Sequence, residues 1–186
     1  RVELVIIDTL SDKRLPAIDG LFIGGGFPEL FMEQLYANKG LRSSIKNFIL
    51  KGGPTYAECG GLMYLSRSIT WNNACQPMVG IIPGDIVMTN RPVGRGYVNL
   101  QILPNHPWPI INKNREPSYS AHEFHYSRIQ ELPENTRKIF SVQRGYGLDG
   151  LYDGIHMHNM IATYTHQRHT LSNPWVNAFV DFIIDQ

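Results

Sequence analysis

One short segment, a strand-like run followed by a cysteine and two glycines, constrains the fold of this chain more than any other feature. Residues 55–57, Thr-Tyr-Ala, are typical of a buried strand, and the apolar residues 62–65 begin a helix. Cys59, Gly60 and Gly61 stand between them. Glycines are favoured where a chain turns tightly or approaches another backbone closely. The segment therefore predicts a strand, a sharp turn at Cys59 and a helix.

A cysteine at such a turn is a candidate nucleophile. Free amide groups and the helix dipole at a helix N-terminus favour thiolate over thiol. The arrangement is that of the nucleophile elbow of α/β enzymes, with sulfur in place of oxygen, and it predicts an exposed Cys59. The alternative is a small buried apolar residue, since free cysteines are often buried. The flanking glycines favour the nucleophile.

A second strand with glycines at its end precedes this segment. Residues 21–23 form an apolar run, Gly24-Gly25-Gly26 follow it, and Pro28 suits the first turn of a helix. Residues 41–49 then place apolar side chains at helical spacing. This alternation indicates an α/β fold with a parallel sheet, in which ligands lie at the carboxyl ends of strands. The glycine loop and the Cys59 elbow would face each other across one site.

The rest of the chain predicts further strands, loops and one helix. Apolar runs predict strands at residues 4–7, 97–103, 139–142 and 160–165. A final helix is predicted after them, with Asn173 as its cap and Pro174 at its start. Proline and glycine predict loops at residues 66–96 and 104–117. Residues 119–129 are dense in functional side chains.

Composition limits the classes of function. A net charge of +1 over 186 residues implies neither a nucleic-acid nor a membrane-surface partner, and no apolar run approaches the ~20 residues of a membrane span. The two cysteines, Cys59 and Cys75, make no disulfide framework, so a reduced, cytoplasmic protein is expected. Because the chain starts on a strand-like run without Met, residues 1–186 are expected to be one domain of a longer protein.

A thiol nucleophile needs a base, and histidine is the usual one. Among seven histidines, His166 is the best candidate, because it follows a predicted buried strand and would emerge at the same sheet edge as Cys59. Backbone amides at Gly25 or Gly26 and at Gly60 would form an oxyanion hole. A surface histidine and a purely structural glycine turn remain the alternatives.

Metal and phosphate sites are not favoured. The close histidine pairs are His122/His125, His156/His158 and His166/His169. The helical zinc motif needs two histidines four residues apart with a glutamate between them. No lysine follows the triple glycine and no G-x-x-x-x-G-K-[ST] motif is present, so ATP, if needed, would bind elsewhere.

Four motifs in chain order carry a specific resemblance to one family. They are DGLFIGGGFPE at residues 19–29, YAECGGLMYL at 56–65, HEFHYS at 122–127 and YTH at 164–166. Over nearly its whole length the chain resembles the glutamine amidotransferase domain of cobyrinic acid a,c-diamide synthase and its hydrogenobyrinate relatives. The fold implied is the class I, flavodoxin-like three-layer sandwich with a mostly parallel sheet.

The resemblance implies a glutaminase that works through a thioester. The Cys59 thiolate would attack the glutamine side-chain amide, His166 would protonate the departing ammonia and then activate water, and Gly25, Gly26 and Gly60 would hold the oxyanion. This chain would need no cofactor. Ammonia would pass to an N-terminal synthetase domain, where ATP and Mg²⁺ activate carboxylates of a tetrapyrrole in cobalamin biosynthesis. The resemblance also implies three residues near the glutamine pocket or the domain junction, which are Glu58, Glu123 and His125.

The chain departs from the family pattern in three ways. Most class I amidotransferases have a glutamate two residues after the histidine, but here that position is Arg168. The cobyrinate branch also lacks this glutamate. Cys59 and His166 would therefore act as a dyad or recruit a carboxylate from elsewhere. That branch commonly has a histidine at this position, whereas here it comes one residue later, at His169. The family's first strand and helix are missing before residues 2–7. We therefore expect marginal stability, or completion of the fold by a partner chain.

Three hypotheses about function follow. The first is a glutaminase that serves tetrapyrrole amidation, with cobyrinate, hydrogenobyrinate or a sirohaem-type ring as the final acceptor. The second is a non-catalytic docking domain, and the third is a cysteine hydrolase acting on another amide or ester. Retention of Cys59, His166 and the three glycines favours the first hypothesis over the second. The motifs GGGFPE and HEFHYS favour it over the third.

Overall fold

The computed structural model describes residues 2–108 and 118–186, which build two β-sheets and flanking helices. The strands are β1 (Leu21–Ile23), β2 (Thr55–Glu58), β3 (Ser66–Trp71), β4 (Ala74–Pro77), β5 (Ile82–Met88), β6 (Gly94–Ile102), β7 (Ser118–His125), β8 (Ser127–Gln130), β9 (Lys138–Arg144), β10 (Tyr152–Met157), β11 (Met160–Thr163) and β12 (His166–Gln167). A 3-10 turn (Pro28–Phe31) precedes four helices, which are α1 (Met32–Ala37), α2 (Lys39–Leu50), α3 (Gly60–Leu65) and α4 (Trp175–Ile184).

The larger sheet has eight strands in the order β1-β2-β11-β10-β9-β6-β7-β12. Its β2 lies parallel to β1 on one side and to β11 on the other. The other neighbouring strands in the described part of this sheet pair antiparallel. The α/β class is confirmed, but the expected parallel pairing holds only around β2. Short connections explain the rest, because a two-residue turn such as His158-Asn159, between β10 and β11, can join only antiparallel strands.

The central strands are buried on both faces, as a three-layer sandwich requires. In β2, Tyr56 packs into one apolar core with Phe179 of α4, while Ala57 packs into the other core with residues of α2 and α3. The same alternation in β11 places Ile161 beside Tyr56 and Ala162 beside Ala57. A strand with period-two side chains therefore serves both layers.

The prediction of a loop over residues 66–96 was wrong. β3, β4 and β5 form, together with β8, a second sheet of four strands in the order β4-β3-β5-β8. Its prolines and glycines lie at strand ends and irregular positions, for example Pro77 at the end of β4 and Gly80 in the following turn. Asn72 and Asn73 both have positive φ, the backbone of a type I′ hairpin turn that joins β3 to β4.

The predicted buried strand at residues 4–7 is not present. These residues form no strand, and Leu4 and Ile6 are 88% and 93% exposed. An apolar run becomes a buried strand only when it pairs with a neighbour in a sheet and packs on one. Here no described strand pairs with this segment.

Other expectations are confirmed with small changes of boundary. The strands predicted at residues 97–103, 139–142 and 160–165 correspond to β6, β9 and β11. The last helix begins at Trp175, but Asn173 does not cap it; its side-chain amide donates to Gln167 Oε1 instead. Most of the loop predicted at 104–117 lies outside the described residues. Among the described helices, none combines the length and the apolar character needed to span a bilayer.

Candidate active site

The turn at Cys59 has the backbone of a nucleophile elbow. Cys59 has φ +47° and ψ −101°, a conformation that residues with a Cβ rarely adopt and that is typical of functional sites. Its amide donates to Thr163 O at 2.7 Å, and its carbonyl accepts from Met63 N at 3.0 Å in α3. The expected exposure was wrong, since Cys59 is 6% exposed. Its sulfur faces the main chain of β7, 3.9 Å from Phe124 O.

Glycines let three pieces of main chain meet around this elbow. A Cβ on Gly60 would lie 2.5 Å from Gly26 O, and a Cβ on Gly61 would collide with Ile23 O. A Cβ on Gly25 would lie 2.5 Å from His166 Cε1. The predicted meeting of the glycine loop with the elbow is therefore observed. The oxyanion role of the amides at Gly25, Gly26 and Gly60 stays a prediction.

His166 reaches the elbow from β12, which pairs with β7 so that His166 lies opposite His122. The corner that leads into β12 is held by the buried Asp153. Its carboxylate accepts hydrogen bonds from Tyr164 N and Thr165 N, each at 3.0 Å, and from Thr165 Oγ1 at 2.6 Å. This corner leads into β12, where the His166 imidazole lies beside Glu58 at the end of β2.

Cys59 and His166 interact at the elbow. The hydrogen bond to Cys59, followed by the one to Glu58, raises the pKa of His166 to about 10, while burial acts in the opposite direction. The imidazole therefore carries a positive charge at neutral pH. A thiol beside a charged histidine is the arrangement that activates a sulfur nucleophile.

Glu58, predicted to lie near the glutamine pocket, sits beside His166. Its Oε2 lies 3.4 Å from His166 Nδ1, and its side chain is 8% exposed. Its Oε1 accepts hydrogen bonds from the Tyr56 hydroxyl at 2.7 Å and from Gln167 N at 2.8 Å. All of these partners belong to the chain itself. A direct contact of Glu58 with glutamine stays a prediction.

Glu123 and His125 lie in a buried network behind the elbow. Glu123 accepts from Tyr146 N at 2.8 Å and from Gly147 N at 2.9 Å, and its Oε2 lies 3.5 Å from His125 Nε2. Burial alone would raise the pKa of Glu123, but hydrogen bonds from His125 and the two amides together lower it. Because both side chains are buried and engaged within the chain, their predicted contact with glutamine stays a prediction.

His125 extends this network toward the elbow. Its ring stacks on Tyr164 with 4.1 Å between ring centroids, and its Nδ1 lies 3.0 Å from Ser127 O. The hydroxyls of Ser127 and Tyr164 are 3.0 Å apart. His125 and Ser127 of the HEFHYS motif thus contact Tyr164, which lies two positions before His166.

The exposed face of β7 beside His166 carries side chains that sequence reasoning did not place in the site. His122 and Phe124 point outward while Glu123 and His125 are buried. The His122 ring centroid lies 5.8 Å from that of His166. The period-two pattern of a strand was the available signal, because it puts alternate members of HEFHYS on opposite faces.

A large apolar groove lies on another side of the glycine loop. Its volume is about 1320 Å³, and its lining runs from residues 2–10 across β1 to one face of α4. Gly25 and Gly60 border it, but Cys59 and His166 are not among the described residues that line it. The groove is therefore separate from the thiol–imidazole pair.

Metal ligands do not gather in this site. Within residues 2–108 and 118–186, no group of three or more His, Cys, Asp or Glu side chains is placed to hold a metal ion. The arrangement instead brings together a cysteine, a charged histidine and closely packed main chain, a set of groups that suits acyl transfer through a thioester.

Comparisons with known proteins find a family model and curated relatives that match this chain. Residues 1–174 match the family model described as the CobB/CobQ-like glutamine amidotransferase domain. A cobyrinate a,c-diamide synthase of Magnetococcus marinus is 42% identical over 165 residues, which are 89% of this chain and 34% of that protein. The enzyme of the same name from Archaeoglobus fulgidus is 44% identical over 164 residues, 88% of this chain and 35% of its own length. The chain spans about a third of these relatives.

Solved structures share the fold at low sequence identity. PurLQS from Thermotoga maritima superposes with a TM-score of 0.65 at 12% identity, covering 95% of this chain and 82% of that chain. A structure described as a glutamine amidotransferase gives a TM-score of 0.63 at 15% identity, covering 89% and 79%. These likenesses confirm the class I glutamine amidotransferase-like fold predicted from sequence.

Proposed function

Because this chain belongs to the CobB/CobQ-like glutamine amidotransferase domain family, we propose that it is the glutaminase part of a cobyrinate a,c-diamide synthase-like enzyme. One observation carries the proposal. Cys59 stands at a positive-φ elbow and interacts with a charged His166, and the triple-glycine loop packs against Gly60 and His166. The names of the relatives support a tetrapyrrole as the final acceptor of the ammonia. The arrangement of Cys59 and His166 supports hydrolysis of glutamine through a thioester.

The first half of the reaction breaks the amide bond of glutamine. The Cys59 thiolate adds to the side-chain amide carbon, and the carbonyl oxygen becomes an oxyanion that the amides of Gly60 and of Gly25 or Gly26 stabilise. The carbon–nitrogen bond then breaks, and the proton on His166 goes to the departing nitrogen, which leaves as ammonia. A glutamyl thioester remains on Cys59.

The second half returns the enzyme to its starting state. The neutral His166 removes a proton from water, and the hydroxide adds to the thioester carbon through a second oxyanion. The carbon–sulfur bond breaks, glutamate leaves, and the thiolate is restored beside the charged imidazole. Each step uses only glutamine, water and residues of this chain.

The ammonia would be consumed in another domain of the enzyme. The relatives are about three times longer than the matched segment, which supports a synthetase domain elsewhere in the enzyme. In that domain ATP and Mg²⁺ would activate tetrapyrrole carboxylates for amidation. The described residues provide neither a phosphate loop nor a metal-binding cluster for these cofactors.

Covalent labelling with a glutamine-analogue diazoketone tests the proposal. The chain carries its own control, because Cys75 is exposed on β4 in the smaller sheet whereas Cys59 is buried at the elbow. Peptide mass mapping should find the label on Cys59 alone, and glutamine should protect it. Equal labelling of both cysteines, or no labelling, would contradict a formed glutamine site and favour a non-catalytic docking domain.

A further inference from the structure

We propose that Glu58 is the positioning carboxylate of the Cys59–His166 pair and acts through His166 rather than on glutamine. The inference rests on the proposed glutaminase function and deepens it. It assigns a role to the residue directly before the nucleophile, in a chain where the position two residues after the histidine holds Arg168.

The carboxylate of Glu58 lies beside the imidazole of His166. Glu58 Oε2 lies 3.4 Å from His166 Nδ1. A carboxylate at this nitrogen fixes the ring orientation and keeps the proton on Nδ1, which leaves Nε2 as the nitrogen that exchanges a proton with the thiol. Gly25 lies next to the Cε1 edge of the ring, where a Cβ would come within 2.5 Å of that atom.

Hydrogen bonds hold the carboxylate of Glu58 in place. Its Oε1 is bound by the Tyr56 hydroxyl and by Gln167 N, so Oε2 alone is directed at His166. The Gln167 side chain continues the network, donating to the Tyr56 hydroxyl at 3.0 Å and accepting from Asn173 Nδ2 at 3.2 Å. Burial, followed by the charge of Glu58, raises the pKa of Tyr56, so its hydroxyl remains a donor.

The topology of the chain places Glu58, and not residue 168, beside His166. Arg168 is exposed, beyond the end of β12, and carries no carboxylate. Glu58 instead ends β2, and Gln167 N ties it to β12 next to His166. A single strand end thus supplies both the nucleophile and the group that orients its base.

Charge at the site agrees with this geometry. Among the residues that the structure describes, the titratable groups that face His166 are Cys59 from the elbow, Glu58 from β2 and His122 from β7. Cys59 and then Glu58 raise the pKa of His166. Removing the charge of Glu58 while keeping its shape should therefore lower the pH at which the imidazole loses its proton.

An NMR titration of His166 in the full chain tests this consequence. Its signal is assigned by comparison with His166→Asn. In Glu58→Gln the titration midpoint should fall by at least one pH unit from its value of about 10 in the parent chain. Glu134→Gln, which removes an exposed carboxylate, should leave it unchanged. An unchanged midpoint in Glu58→Gln would overturn the proposal.

Kinetics separate positioning from glutamine binding. The rate at which the diazoketone labels Cys59 should fall at least tenfold in Glu58→Gln, while the glutamine concentration needed for half-protection stays the same. Weaker protection at an unchanged maximal rate would instead make Glu58 a binding residue and overturn the positioning role.

A measurement on the unchanged chain keeps the proposal testable if the variant does not fold. Two-bond ¹H–¹⁵N spectra, recorded above the titration midpoint, should show the neutral His166 ring with its proton on Nδ1. A proton on Nε2 would contradict the proposal. Neither NMR experiment needs glutamine, so a failed positioning role is distinguishable from failed labelling of Cys59.

Discussion

At the scale of single residues, the absence of a side chain at Gly25 leaves room for the His166 imidazole. Glycine is required there by contact, since a Cβ would lie 2.5 Å from His166 Cε1. Gly24, one residue earlier, has no such neighbour: its Cβ would meet only the Phe22 ring, at 3.6 Å. Two adjacent glycines therefore have separable roles.

Gly25→Ala should displace His166 and impair glutamine hydrolysis. We expect a loss of about 10²-fold in kcat, because a misplacement of about 1 Å at a catalytic group costs about that much. Steady-state glutamate release measures the effect. Gly24→Ala is the matched control and should keep parental activity. Equal activities of the two variants would contradict the contact between Gly25 and His166.

The pKa of His166 predicts how acylation of Cys59 depends on pH. Its pKa is raised to about 10, so the imidazole can donate a proton at every pH below that value. The rate of diazoketone labelling should therefore fall as the pH rises through about 10, because the reaction needs that proton. Labelling in His166→Asn should lack this alkaline decline. A parental rate that keeps rising above pH 10 would count against His166 as the acid.

Sequence reasoning predicted that Cys59, His166 and the glycine loop lie together, but it missed the contact between His166 and Glu58. Cys59, His166 and the glycines were identified from strand ends and glycine placement, and the structure brings them together. The partner of His166 was not found, because it comes from a strand that is more than 100 residues away in sequence, and such pairing is set by tertiary structure.

At the scale of secondary-structure elements, the corner between β11 and β12 depends on Asp153. Three hydrogen bonds from Tyr164 and Thr165 converge on its buried carboxylate. Asp153→Asn replaces one acceptor oxygen by an amide that faces donors. We expect a loss of about 1–3 kcal/mol in the free energy of unfolding, measured by urea denaturation. Asp181→Asn, exposed on α4, is the control and should change it little.

Glu123 ties β7 to the loop before β10, and its stabilising effect should depend on pH. Its folded-state pKa lies below the ordinary value of 4.5, so its contribution is present above that value and is lost as the pH falls through the folded pKa. The difference in unfolding free energy between the parent chain and Glu123→Gln should therefore shrink in acid. A difference that is constant from pH 7 to pH 3 would contradict this account.

The smaller sheet shows why sequence reasoning missed some elements. Residues 66–96 read as a loop because of their prolines and glycines, yet β5 contains Pro83 and Gly84 within the strand. The β3–β5 register shifts between Ser66 and Ser68, next to these residues, so an irregular strand accommodates them. Such irregularity follows from packing between sheets, which a local pattern does not reveal.

At the scale of the whole molecule, an apolar surface flanks the outer strand of the larger sheet. Phe22 of β1 is 49% exposed, and Leu4 and Ile6 border the same groove. The described strands leave β1 paired only with β2, so its other edge presents free backbone groups. Exposed apolar surface beside an unpaired edge favours association.

The purified chain should therefore self-associate or unfold at moderate temperature. Sedimentation velocity over a range of concentrations measures association, and a double variant with Leu4→Ser and Ile6→Ser should reduce it. Leu171→Ser is the control, because Leu171 is fully exposed but lies outside the groove. A monomer that melts cooperatively at high temperature would contradict this expectation.

Glutamate release from glutamine, measured for the parent chain and for Cys59→Ala, tests whether the reaction passes through a thioester on Cys59. The parent should release glutamate and ammonia in equal amounts, Cys59→Ala should release neither, and Cys75→Ala should retain parental activity. Hydrolysis that persists in Cys59→Ala would show that another group attacks the amide and would contradict the thioester mechanism.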